Sequence, residues 1–185
     1  CCVIKMKAKA FKRTKPPTEY KPGGRIDADD VPKRIRSKAG NHHTEFIIDY
    51  ATRRIFLVFL KSKADIADAI KTIKTKIETL TGRPVQVIQC DASPCNTTAL
   101  IIDDCKRTGT QLRTANPGDL QQNGFCERHI GIWKQVGFLI DFHAGGLPPS
   151  FWEYKESQAA LILNLWPNYK QEDGAFWSPM DLWMD

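Results

Sequence analysis

The chain has 185 residues, 42% hydrophobic and 10% aromatic, which suits one good-sized core with tails and hardly leaves room for two. That composition excludes wholesale disorder, and apolar runs as short as Phe56 to Leu60 fall far below the ~20 residues of a helical membrane span. The net charge of +6 is unevenly spread: residues 1–40 hold twelve Lys or Arg against four acids, a balance of +8, while the remaining 145 residues carry fifteen basic and seventeen acidic groups.

The basic excess is therefore N-terminal. A Lys-rich segment containing Pro16, Pro17 and Pro22 reads as an extended arm, either a solvated linker or a contact for a polyanion such as nucleic acid. The first residue is Cys rather than Met and no leader pattern precedes the core, so the chain reads as a soluble piece of something longer. Six cysteines stand at positions 1, 2, 90, 95, 105 and 126 without a C-x-x-C pair. Free thiols are expected, with Cys90, Cys95, Cys105 and Cys126 as core filler. His42 and His43 lack partners at zinc spacing, so neither is assigned a metal.

Beyond the arm, Arg25 to Asp29 alternates as a strand does. Glu45–Tyr50 and Arg54–Leu60 are β-rich runs joined by Ala51-Thr52-Arg53, which predicts a hairpin. The second run is apolar at both parities, as a strand covered on both faces would be. From Ser62 to Leu80 the period changes. Ile66, Ile70, Ile73, Ile77 and Leu80 form a helical stripe, with Lys71, Lys74 and Lys76 off it, Ser62 and Asp65 at the start, and Gly82 and Pro84 at the end. Val85–Cys90 predicts a strand delivering Asp91 at its end. Ala99–Arg107 predicts a helix closed by Gly109, Gln111–Ala115 a strand, and 116–124 a loop. Helices follow over about 125–142, with Ile130, Trp133, Val136, Gly137 and Ile140 near one face, and over 150–165. Strands gathered early and then alternating with helices imply a mixed sheet covered by helices, an α/β arrangement.

Three acids fall at strand ends and a helix start: Asp29, Asp91 and Glu127, the last two separated by residues 92–126. Carboxylates beside a sheet interior are costly unless paired, solvated or bound to a cation. Three that converge can hold Mg²⁺ or Mn²⁺, ions that take oxygen ligands and keep positions open for water and phosphate. Spacing alone equally fits ordinary surface acids.

The segment Gln121-Gln122-Asn123-Gly124-Phe125-Cys126-Glu127-Arg128 resembles the QQNG-x-x-ER motif of copia-type LTR-retrotransposon integrases, whose Glu closes a DDE triad. Five further blocks resemble the family in the same order. They are residues 1–11 (CCVIKMKAKAF), 46–63 (FIIDYATRRIFLVFLKSK), 145–152 (GGLPPSFW), 159–167 (AALILNLWP) and 178–183 (SPMDLW). The resemblance implies a ribonuclease-H-like fold with a mixed five-stranded sheet flanked by helices. It implies an integrase, a polynucleotidyl transferase that processes element DNA ends and joins them to target DNA. A catalytically inactive DNA-binding or assembly remnant is the alternative.

Carried over residue by residue, Asp29, Asp91 and Glu127 are the catalytic and metal-binding acids. Asp30 is runner-up to Asp29, and Asp27 a third competitor. Gln122, Asn123, Arg128 and Lys134 are the expected nucleic-acid contacts; Lys134 lies seven residues beyond Glu127 and returns to the same helix face. The resemblance divides the chain into a basic linker with the end of a zinc-binding segment (1–22), a catalytic core (23–167) and a C-terminal extension (168–185). Zinc would belong only to a missing upstream segment. DNA and further copies of the chain are the expected partners, with no membrane, and the nucleus, after a cytoplasmic particle stage, the expected location. Two departures stand out. The family's N-G-G-E-F after the second Asp becomes Ala92-Ser93-Pro94-Cys95-Asn96, which removes two flexible glycines beside the site. His129 replaces a common Lys, weakening a basic contact at neutral pH.

Overall fold

In the computed structural model, residues 19–115, 124–170 and 174–184 are described. The strand that begins at Arg25 runs further than its alternation suggests, to Pro32; this is β1 (Arg25–Pro32), the middle strand of a five-stranded sheet. A hairpin of β2 (His43–Asp49) and β3 (Ile55–Leu60) lies on one side, and the parallel strands β4 (Val87–Asp91) and β5 (Gln111–Ala115) on the other, in the order β3-β2-β1-β4-β5. β1 is antiparallel to β2, with Asp30 opposite Glu45, and parallel to β4, with Asp27 beside Gln89. The sheet is thus mixed, and its two central parallel strands end at the same edge.

Helices cover both faces, as the parity of the buried residues requires. On one face Ile26, Ala28, Ile47, Phe56 and Ile88 pack against α1 (Ile66–Thr81) and α2 (Ala99–Thr108). On the other, Val31, Phe46, Ile48 and Ile55 pack against α3 (Gly124–His143) and α4 (Trp152–Leu165). The adjacent β3 residues Ile55 and Phe56 join opposite cores, which is why that run is apolar at both parities.

The first helix starts with a 3-10 turn, Lys63–Asp65, where Ser62 Oγ accepts the Ala64 N–H at 3.2 Å. It stops at Gly82, whose φ of +64° suits glycine. Its stripe is buried only as far as Ile77; Leu80 is 54% exposed. Lys74, expected off the stripe, is instead buried. It follows Ile73 directly, so its stem lies along the core while its ammonium reaches Glu78 at 3.2 Å and Asp104 of α2 at 3.3 Å.

Two short strands, β6 (Tyr169–Lys170) and β7 (Phe176–Trp177), and a last helix, α5 (Pro179–Met184), follow α4. Trp183 of α5 packs edge-on against Phe56 at 5.5 Å. Elements this short carry no periodicity to read. Cys90, Cys105 and Cys126 are buried, Cys95 is half-buried, and all four are free thiols.

One polar knot fixes α3 and α4 against the sheet. The Trp133 ring packs on Phe46 at 5.3 Å, and its Nε1 donates to the Glu156 carbonyl at 2.9 Å. The Glu156 carboxylate accepts from Lys33 Nζ at 2.6 Å and Thr44 Oγ1 at 2.8 Å. Trp133→Ala removes a large buried ring and its hydrogen bond to that carbonyl, so urea unfolding should show a loss of about 3–5 kcal/mol.

Candidate active site

Side chains alternate along a strand. Since Asp27 is level with Gln89 in the parallel register, Asp29 and Asp91 come level two residues later, on the face that α3 covers. α3 starts beside that edge and carries Glu127, exposed, in its first turn, where the positive end of the helix dipole favours an anion. Cys126, Ile130 and Trp133 bury the adjoining stripe and so fix the rotation of the helix.

The electrostatics record the convergence. Burial first, and then the neighbouring charges of Asp91 and Glu127, push the Asp29 carboxyl up from 3.8 to about 6. Acids from two distant stretches of chain therefore act on Asp29. Asp29 and Glu127 line one groove of about 410 Å³, together with Asp30, Val31, Pro32, Ile130, Gly131 and Lys134.

Structural surroundings separate the three candidates for the first acid. Asp27 is buried under a two-point ion pair with Arg25, at 2.8 and 3.0 Å. Asp30 borders the groove, but by alternation it belongs to the opposite face, and its carboxylate meets His43 Nδ1 at 3.0 Å and Lys63 Nζ at 3.5 Å. Asp29 has no ion pair of this kind among the described residues. Asp91 is held differently: its Oδ1 accepts from the Ser93 N–H at 3.2 Å and from the side-chain amide of Asn96.

Lys134 shares the groove with Asp29 and Glu127, and Arg128 is exposed one residue beyond Glu127. Gln122 and Asn123 lie outside the described residues. His129 is turned inward: its Nδ1 lies 2.8 Å from the Phe125 carbonyl, its ring stacks on Phe125 at 4.4 Å, and burial lowers its pKa to about 4. It is a neutral ring at pH 7 and contributes no positive charge to the groove.

One acid escaped the sequence reading. Glu45 is fully buried in β2 opposite Asp30, and neither carboxylate oxygen has a hydrogen-bond partner among the described residues. Its pKa is raised well above the ordinary value by burial first, then by Asp30, Asp29 and Asp91. The available signal was an acid inside the run His43-Thr44-Glu45-Phe46-Ile47-Ile48 at the same parity as core residue Ile47.

Among the described residues, no three His, Cys, Asp or Glu side chains stand close enough to form a finished metal cage. The donor chemistry nonetheless fits a hard divalent cation. Asp29 and Glu127 line one groove, the charges of Asp91 and Glu127 both bear on Asp29, and carboxylate oxygens are the donors such an ion takes.

No family model matches the chain. It is 27% identical over 138 residues to the retrovirus-related Pol polyprotein from transposon TNT 1-94 of Nicotiana tabacum, covering 74% of this chain and 10% of that polyprotein. In structure it resembles a chain of the simian T-cell lymphotropic virus intasome, solved in complex with PP2A regulatory subunit B56 gamma. That match has a TM-score of 0.68 at 16% identity over 89% of this chain and 55% of that one. It also resembles the HTLV-2 integrase catalytic core solved with magnesium, with a TM-score of 0.61 at 16% identity over 88% of this chain and 97% of that one. The BIV integrase catalytic core gives a TM-score of 0.61 at 16% identity over 88% and 94%. The chain is similar in sequence to a transposon Pol polyprotein and has the fold of integrase catalytic cores. It spans 10% of that relative's length, and its sheet and helices form the ribonuclease-H-like architecture.

The buried Glu45 generates a prediction about stability. Its raised folded-state pKa means that above the ordinary glutamate range the folded state keeps a proton that the unfolded state releases, so stability falls as pH rises towards the folded value. Glu45→Gln should remove that slope. Denaturant midpoints at pH 8 should rise relative to wild type and converge with it near pH 4.

Proposed function

We propose that the chain is the catalytic core of an integrase, a polynucleotidyl transferase that trims element DNA ends and joins the freed 3′-hydroxyl to target DNA. The observation that carries this reading is the action of the Asp91 and Glu127 charges on the half-buried Asp29, in a chain similar in sequence to a transposon Pol polyprotein and in fold to integrase cores. In this reading Asp29, Asp91 and Glu127 are the ligands of Mg²⁺ or Mn²⁺. Bound there, the divalent ions would supply charge neutralisation and activation of the attacking and leaving oxygens of a phosphodiester. The carboxylates orient that chemistry through their fixed strand and helix positions. Lys134, across the groove, draws in a DNA phosphate, and Arg128, Gln122 and Asn123 extend the contact along the backbone. The N-terminal arm adds salt-sensitive attraction without sequence preference. Work on two DNA ends by several copies of the chain, in the nucleus after a cytoplasmic particle stage, belongs to the same proposal.

A second reading, a DNA-binding remnant without catalysis, draws on the hold of Ser93 and Asn96 on Asp91. It expects salt-dependent DNA binding with no divalent-dependent joining.

The direct test is strand transfer on end-mimicking oligonucleotides with Mg²⁺ or Mn²⁺. Glu127→Gln should reduce product to background while leaving the thermal midpoint unchanged, because Glu127 is exposed. Undiminished activity in that variant would remove Glu127 from the triad. Lys134→Ala should weaken DNA binding on all sequences alike and lower the slope of log affinity against log salt by about 1.

A further inference from the structure

We propose that Asn96 is a positioning residue that limits Asp91 to metal ligation through one oxygen, biasing the site towards Mg²⁺ over Ca²⁺. The proposal rests on the reading of Asp91 as a metal ligand.

β4 ends at Asp91, and the chain folds back at once through Ala92-Ser93-Pro94-Cys95-Asn96. The Asn96 N–H donates to the Ser93 carbonyl at 3.0 Å, and Thr97 Oγ1 donates to the same carbonyl at 3.2 Å. This tight return sets the Asn96 side chain against Asp91, whose Oδ1 accepts both the amide Nδ2 and the Ser93 N–H. A carboxylate oxygen has about two acceptor sites, so those of Oδ1 are taken. Oδ2 accepts no hydrogen bond among the described residues.

Asn96 is 1% exposed, so water does not compete for its amide. Its own Oδ1 is buried without a hydrogen-bond partner among the described residues, which is costly to keep. Turning the amide over would bring its oxygen against the carboxylate and separate the only donor from its acceptor. The orientation is therefore dictated by Asp91, and Asp91 in turn is left with one oxygen for a cation.

That restriction distinguishes between ions. Mg²⁺ requires near-octahedral geometry and is bound through one or two carboxylates with waters completing its shell, whereas Ca²⁺ accepts carboxylates with one oxygen or two in a larger, flexible shell. A carboxylate fixed to one free oxygen suits Mg²⁺ and denies Ca²⁺ the two-oxygen mode.

The test is calorimetric titration of the whole chain with MgCl₂ and, separately, CaCl₂. Asn96→Leu keeps the number and branching of side-chain heavy atoms and removes the donor; Asn96→Ala is the second variant should the first fail to melt cooperatively. Mg²⁺ affinity should drop about tenfold, the usual scale for losing an outer partner of a ligand, and Ca²⁺ affinity by less than about threefold, since freeing Oδ1 offers it a second oxygen. Equal weakening for both ions, or no change for either, would overturn the role of Asn96. Asp91→Asn separates this from failure of the underlying reading. Mg²⁺ binding that survives Asp91→Asn removes Asp91 as a ligand. Loss of binding in that variant, with wild-type ion preference in both Asn96 variants, removes only the present proposal.

Discussion

Carboxylates held close together in a half-buried space repel one another, and the rest of this structure works to keep them there. Asp29 and Asp91 stand on neighbouring parallel strands that end at one edge, and Glu127 approaches from the first turn of a helix whose position is set by buried side chains. The lift in the Asp29 pKa to about 6 comes first from burial and then from the charges of Asp91 and Glu127. Neither strand end nor helix start can drift apart to relieve it without uncovering the core beneath.

Several contacts serve the same end from a distance. Trp133 and Glu156 join α3, α4 and the sheet in one network of short hydrogen bonds, so the helix carrying Glu127 cannot slide independently of β1 and β2. Arg25 neutralises Asp27, and His43 with Lys63 occupies Asp30, which leaves Asp29 as the acid of β1 directed at the groove. On the opposite face Glu45 adds a further buried carboxylate with no hydrogen-bond partner among the described residues, and burial raises its pKa well above the ordinary value.

Much of this was legible in the residues. Strand and helix periods placed β2, β3, α1, α2, β5, α3 and α4 to within a few residues, because each is long enough to show its parity or stripe. Strands gathered early and then alternating with helices implied the mixed sheet, and the family resemblance implied its ribonuclease-H-like form. What escaped had local causes. Lys74 lies beside the apolar stripe, and nothing in α1 alone announces Asp104 on another helix as its partner. The two-residue strands β6 and β7 and the short α5 have no period. At the candidate site, the run Asp27-Ala28-Asp29-Asp30 offered three acids at nearly equal merit. The surroundings tell them apart: Arg25 two residues along the same strand, and His43 and Lys63 brought from elsewhere. The hold of Asn96 on Asp91 depends on the fold of a five-residue loop, which sequence alone marked only as a departure from the family pattern.

The central claim is that Asp29, Asp91 and Glu127 share one electrostatic space. Following the Asp29 carboxyl carbon by NMR through a pH titration tests it most directly, in wild type and after Asp91→Asn and Glu127→Gln. The account predicts a midpoint at about 6 that drops with each neutralisation yet stays above the ordinary aspartate range, because burial remains. An ordinary midpoint near 3.8, unmoved by either substitution, would contradict it.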